Sequence, residues 1–388
     1  MSAFLKKFQL AGKRQIYRVF VSHTIRGIAL SCVSIYIPIY FFTRGHSLFE
    51  VVGYYAVLHL SGLLVALTVI PRLIERLGLI RVFKLNYLFE ITYFVLLFLL
   101  PHLPIPIYGI AFVGGLATFF YWVPLNILLI KNADFDKMGT DLANFFALPK
   151  FFSIVGPLIG AALVYFVGFW PTFLIAMLGL VLSYLPLVGI SVSEISVTFN
   201  FSQAWQKIKA RKLLFFLEGF DNIIEESEWF WGIYVFLIVG SLAVPGIIGS
   251  LETIGAVLFT LLIGKRANHS DRKIVLWSAL GLMLVSLSRI FVESQMAAYA
   301  VSIVASFAMT AFLISYFSVI YRAVKGDDEE EFIILREIPT VLGRMVVFGG
   351  IILTAAHPKY YFLLPLLATA VLAILFLTKM RTEKSVIA

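Results

Sequence analysis

Apolar runs of about 20 residues, each long enough to cross the hydrocarbon layer of a bilayer as a helix, follow one another along this whole chain with only short polar breaks. About twelve such runs are present, at 17–42, 48–71, 81–100, 105–131, 141–167, 170–191, 214–239, 246–265, 273–293, 296–322, 332–355 and 357–379. Strands of a membrane barrel would instead alternate apolar and polar residues over roughly ten positions. With 61% hydrophobic and 14% charged residues, too little polar sequence remains to coat a soluble domain. The pattern predicts an all-α membrane protein of twelve transmembrane helices.

The net charge of +9 is scattered through the breaks rather than gathered on a module, so it predicts topology and not nucleic-acid binding. Lys6, Lys7, Lys13, Arg14 and Arg18 precede the first run, Arg72, Arg76, Arg81 and Lys84 follow the second, and Lys207, Lys209, Arg211 and Lys212 fill the centre. Lys265, Arg266, Arg272 and Lys273 follow the eighth run, and Lys379, Arg381 and Lys384 follow the last, whereas the alternate breaks carry only Arg44 and Lys359. By the positive-inside rule this predicts a multi-pass protein of the cell (plasma or inner) membrane with both termini in the cytoplasm. The basic N-terminus lacks a small-residue cleavage site and predicts a retained first helix. The single cysteine, Cys32, excludes an internal disulfide and predicts a packing role.

The longest polar interval, 191–213, divides the chain into a first bundle (1–190) and a second (214–388), with a cytoplasmic linker between them whose Trp205 and lysines suit a short helix on the inner leaflet. Sliding the second half over the first by roughly 193 residues superimposes most apolar runs. It also brings Pro71 onto Gly264, Asp134 and Asp136 onto Asp327 and Glu329, and Gly156 onto Gly349. Two pseudo-symmetric six-helix bundles are expected, with a site between them near the bilayer midplane.

The stretch "PRLIERLGLIRVFK" at 71–84 resembles the signature loop of the major facilitator superfamily, G-x-x-x-D-R-x-G-R-R, with Glu75 at the acidic position, Arg76 at the first basic one and Gly78 at the turn. Pro71 stands where the leading glycine is usual, and the double-basic element is displaced to Arg81 and Lys84. "GPLIGA" at 156–161 is similar to the G-P-x-x-G-G element of exporting members, and "EFIILREIPTVLGR" at 331–344 resembles the start of the eleventh helix in little-characterised prokaryotic members. The resemblance implies the major facilitator fold, alternating access between two bundles, and a cytoplasmic gate loop at Glu75, Arg76 and Gly78. The fourth run lacks the arginine that proton-coupled drug exporters carry, so their proton relay is not implied. In the fifth run Gly156 and Gly160 permit close helix approach and Pro157 removes a backbone donor.

The stretch "DNIIEESEWFWG" at 221–232 places carboxylates inside the seventh run. At about 100° per residue, Glu218, Asp221, Glu225 and Glu228 share an arc of roughly 80° along about 15 Å of helix, and Glu226 lies off it. Glu218 is close enough to the end of the run to reach headgroups. Facing lipid, each ionised carboxylate near mid-membrane would cost about 2.5–3.5 kcal/mol, so this face predicts a water- or ligand-filled cavity. Asp221, Glu225 and Glu228 are the candidate proton-coupling residues. Candidate substrate-cavity residues are His23, Arg26, Tyr121, Trp122, Asn126, Trp229, Tyr316, Ser318 and Arg344, with Arg26 expected to face the acids. Glu90 is expected in the cytoplasmic clamp, and the acidic run at 326–331 in a solvated loop.

No phosphate-cradling loop, nucleophile elbow or zinc-ligand spacing is present in the sequence, so neither an enzyme nor a cofactor or metal centre is predicted. The expected function is secondary transport of a small molecule, proton-coupled, by a monomer in the lipid bilayer, with a lean to export of a cationic or amphipathic solute. Symport of a polar nutrient or metal cation, and a lipid-moving or non-transporting sensor role, remain open alternatives.

Overall fold

The computed structural model describes residues 14–132, 138–190, 205–206, 209–263, 271–324 and 329–378. Among these, every regular element is helical, and twelve spans follow in order. In the first half they are α1 (Arg14–Ser31, resuming as Tyr36–Thr43), α2 (Leu48–Thr68), α3 (Leu79–Leu99), α4 (Ile107–Asn132), α5 (Met138–Phe152, resuming as Gly156–Phe166) and α6 (Trp170–Tyr184). In the second they are α7 (Lys212–Val239), α8 (Ala243–Ile263), α9 (Asp271–Arg289), α10 (Gln295–Val324), α11 (Glu329–Leu335, resuming as Glu337–Leu353) and α12 (Leu363–Thr378). A short helix, Ile70–Leu77, follows α2. Nine spans among the described residues are long and apolar enough to cross a membrane on those grounds alone. The other three, α7, α9 and α11, carry charged residues or are interrupted.

The interruptions have one chemical cause. Proline lacks the N–H that an α-helix needs and its ring collides with the carbonyl four residues earlier, but it is tolerated in a first turn. Pro38, Pro71, Pro157 and Pro339 each lie in the first turn of the segment that follows a break, and each break reaches into the four residues before the proline. In α1 the hydroxyls of Ser31 and Ser34 also bond to the carbonyls of Ile28 (2.6 Å) and Leu30 (2.8 Å), which competes with the helix ladder. Pro124 and Pro149, by contrast, are absorbed inside α4 and α5.

Packing resolves the spans into two six-helix bundles. In the first, α2 and α3 pack on α4, and α6 packs on α1 and α3; in the second, α8 and α9 pack on α10, and α11 and α12 pack on α7. The bundles meet where α5 crosses α8 and α10 and where α2 lies against α11. Glycine permits close approach both within the first bundle and between the bundles. A Cβ at Gly156 would overlap the Ser31 hydroxyl, one at Gly160 the Cys32 carbonyl, and one at Gly246 of α8 the Pro157 carbonyl. Gly349, by contrast, has open space around it, so the sequence offset that pairs it with Gly156 does not pair two equivalent contacts.

Of the gate-loop residues, Glu75 and Arg76 are exposed on Ile70–Leu77, and Gly78 ends that helix at φ 84°, a left-handed value that favours glycine. Most of the linker at 191–213, the N-terminal lysines Lys6, Lys7 and Lys13, the acidic pair Asp134 and Asp136, and Gly264, Lys265, Arg266 and Asp327 lie outside the described residues.

Candidate functional site

Three of the five acids of α7 are ion-paired to side chains on different neighbouring helices, because a helix surrounded on all sides presents every face to something. Glu218, expected among headgroups, is fully buried and ion-paired to Arg336 of α11, Nε to Oε2 at 3.2 Å. Arg336 is buried too, donates to the Tyr321 hydroxyl at 3.1 Å and stacks over Phe317. Glu228 accepts two bonds from Arg289 of α9, at 2.7 and 2.6 Å, and that guanidinium is sealed beneath Trp231 and Phe362. The Trp231 N–H in turn bonds to Ser302 of α10 at 2.8 Å. Glu228 is therefore held inside the second bundle rather than offered to a passage.

Glu226, the acid off the arc, joins the two bundles. Its carboxylate lies 3.1 Å from Nε of Arg344 on α11 and 3.8 Å from Nε2 of His59 on α2, while Arg344 also reaches Nδ1 of His59 at 3.0 Å. Glu225 is half-buried, faces the cavity described below, and has Lys150 of α5 as an electrostatic neighbour; Lys150 also senses Glu252 of α8. Asp221 is fully buried, and neither of its oxygens has a hydrogen-bond partner. An ionised carboxylate so placed lacks the donors that would compensate its desolvation.

Arg26 does not face these acids. It forms a two-bond pair with Glu90 of α3, at 2.8 and 2.5 Å, and its guanidinium sits 3.6 Å from the Tyr121 ring centroid. Glu90 is thus buried within the first bundle rather than in a cytoplasmic clamp. His23 bonds to the Tyr121 hydroxyl and stacks on Phe145 at 4.5 Å, also away from the acids. Tyr121 is wholly buried in this cluster. Tyr316 is likewise buried against Phe312, Ser318 is buried, and Trp229 packs on Tyr55 of α2 at 4.2 Å.

Between the bundles lies a cavity of about 180 Å³. Trp122, Asn126, Thr118 and Phe119 of α4 form its wall on one side; Asn222 and Glu225 of α7, Phe317 and Tyr321 of α10, and Arg336, Glu337, Thr340 and Arg344 of α11 form the other. Asn222 fixes α7 to α11 through Thr340 at 3.1 Å. Towards the end opposite the termini the bundles close through Tyr55 and Trp229, Ile35 against Gly232, and Phe42 with Phe236. Towards the termini, Lys131 of α4 pairs with Glu330 of α11, which places part of the acidic run in a contact between bundles rather than in a free loop. Of the candidate cavity residues, Trp122, Asn126 and Arg344 come together here, joined by the proton-coupling candidate Glu225, whereas His23, Arg26, Tyr121, Tyr316, Ser318 and Trp229 do not line it. Arg336 and Glu337 were missed as candidates; their signal was two opposite charges just before Pro339 in an otherwise apolar run.

No protein-family model matches this chain, and neither does any curated protein sequence. Solved structures do. A bacterial homologue of the iron transporter ferroportin, in an outward-facing state, superimposes with a TM-score of 0.68 at 12% identity over 96% of this chain and 100% of that one. A major facilitator superfamily transporter, FucP, in the outward conformation gives 0.69 at 12% identity over 95% and 98%. This chain has the major facilitator fold. The E. coli fucose:proton symporter aligns as well, with a TM-score of 0.66 and 14% identity over 95% and 98% of the two chains. At these identities the likeness speaks for the fold alone. Among the described residues no group of three or more His, Cys, Asp and Glu side chains is placed to hold a metal ion.

Proposed function

We propose that this chain is a secondary transporter that alternates access to the central cavity by rocking the bundles 1–190 and 214–388 against each other, and that its cargo carries a cationic group. The observation that carries the cargo assignment is the charge balance around the cavity. Arg336 and Arg344 are already engaged by Glu218 and Glu226, whereas Glu225 and Glu337 face the space and make no ion pair among the described residues. A cation entering between them is met by carboxylates, with Trp122, Phe317 and Tyr321 offering ring faces for its apolar part.

Proton coupling falls to Asp221 and Glu225 rather than Glu228. Asp221 is buried without a donor and Glu225 borders the cavity, so a proton or a cation is what each can accept; Glu228 is already neutralised by Arg289. Proton release in exchange for cargo gives antiport, and export is the direction in keeping with the resemblance of "GPLIGA". Both termini are assigned to the cytoplasm on the distribution of Lys and Arg.

The test is flux of ethidium, a planar organic cation, in proteoliposomes under an imposed pH gradient. Wild type is expected to move ethidium against its own gradient, and Asp221→Asn and Glu225→Gln to retain folding while losing dependence on the pH gradient. Gradient dependence left intact in both variants would overturn the coupling assignment. Ethidium neither bound nor moved by the wild type would overturn the cargo assignment.

A further inference from the structure

The larger described cavity of this molecule is not the central one. At the end opposite the termini, a slot of about 480 Å³ opens within the first bundle between the end of α1, the turn after α3 and the start of α6. This falls within the roughly 300–1,000 Å³ of small-ligand sites. Its walls are the rings of Tyr40, Phe98, Phe169 and Phe173. The one hydroxyl among these rings is satisfied by the protein, Tyr40 donating to the Leu97 carbonyl at 3.2 Å.

The rim is basic. Arg44 and His102 line it and are both exposed, and the Arg44 guanidinium lies over the Tyr40 ring, 5.3 Å from its centroid. Arg44 makes no ion pair among the described residues. On this face the connecting segments between spans carry only two Lys or Arg residues, Arg44 and Lys359, so a base at the mouth of an apolar slot runs against the trend of the whole face. Trp170, 51% exposed at the same rim, is an amphipathic ring of the kind that settles at a membrane interface.

An apolar slot under a basic rim, at the ends of membrane-crossing helices, selects an amphipathic anion. The bilayer supplies one in which a phosphate sits directly above a hydrocarbon chain. We propose that this slot is a phospholipid site, with one acyl chain between Tyr40, Phe169 and Phe173 and the headgroup phosphate on Arg44 and His102. The guanidinium matches a phosphate through its fork of N–H donors. The bound lipid ties α1, α3 and α6 together at the end where the first bundle's connecting segments carry no other Lys or Arg. The inference is independent of what the central cavity carries.

Native mass spectrometry of the delipidated full chain tests it with three probes: dioleoyl phosphatidylglycerol, dioleoylglycerol, which has the chains without the phosphate, and inorganic phosphate. Phosphatidylglycerol is expected to remain as a one-to-one adduct and to bind at least tenfold more tightly than either of the others. Arg44→Gln with His102→Gln is expected to weaken it at least fivefold, and Lys359→Gln, at the other base of the same face, to leave it unchanged. Arg44 and His102 are exposed and Lys359 is only half-buried, so the variants are expected to fold. Equal binding of dioleoylglycerol, equal binding of free phosphate, or equal loss in Lys359→Gln would overturn the site.

Discussion

Arg289 has no exposed surface, and two of its nitrogens are bonded to Glu228. Removing one partner of such a pair leaves an uncompensated buried charge, at a cost of about 3–5 kcal/mol, whereas replacing both with apolar residues of similar size can be neutral. Arg289→Met is therefore expected to lower the unfolding temperature sharply, and Arg289→Met with Glu228→Leu to recover most of it. Differential scanning fluorimetry of the two proteins checks the order. A second contrast separates two glycines in the same way. Gly160→Ala pushes a methyl into the Cys32 carbonyl, a backbone atom that cannot swing aside, and is expected to cost about 1–3 kcal/mol. Gly349→Ala meets nothing and is expected to be neutral or to stabilise by up to about 1 kcal/mol through helix propensity. Thermal stabilities of the two variants, measured side by side, decide whether close approach or backbone freedom sets the value of glycine here.

On α7 the scale changes from side chain to element. Its sequence showed carboxylates that need partners on a membrane helix, but of the four acids on its arc Glu225 alone borders the central cavity. What periodicity cannot supply is the neighbour. An acid off the dominant arc looks unimportant on one helix taken alone, yet Glu226 meets α2 and α11, at sequence separations of 167 for His59 and 118 for Arg344. Arg26 and Glu90 are in the same position: each was visible as an intramembrane charge, but their pairing depends on α1 and α3 lying side by side. The number and order of spans was legible because hydrophobic length is a local property, and the breaks before Pro38 and Pro339 were not, because proline is elsewhere absorbed without one, as at Pro124. The Glu226 cluster carries its own prediction. Glu226→Gln removes the charge that holds Arg344 of α11 beside His59 of α2, and pairs within one network are coupled by about 0.5–3 kcal/mol. Spin labels on α2 and α11 are expected to show a broader and longer distance distribution in the variant by double electron–electron resonance. An unchanged distribution would mean that apolar packing alone joins these helices.

For the whole molecule, alternating access requires that contacts between bundles at the two ends cannot all persist in every state. Lys131 and Glu330 join α4 to α11 on the side of the termini, while Phe42 with Phe236 and Tyr55 with Trp229 join the bundles on the other. A state open towards the termini must separate the first pair, because the cavity lies between α4 and α11 just beyond it. Replacing both residues with cysteine in a Cys32→Ala background allows a short bifunctional thiol reagent to tie them. The tied protein is expected to bind cargo presented from the opposite side with its usual affinity but to lose net flux, and a cleavable reagent followed by reductant is expected to restore it. Charge exchange, Lys131→Glu with Glu330→Lys, preserves the attraction and is expected to keep most of the flux, whereas Lys131→Glu alone places like charges together and favours opening at that end. Full flux through the tied protein would show that the bundles need not part there, and would leave the fold intact while removing the rocking motion from its function.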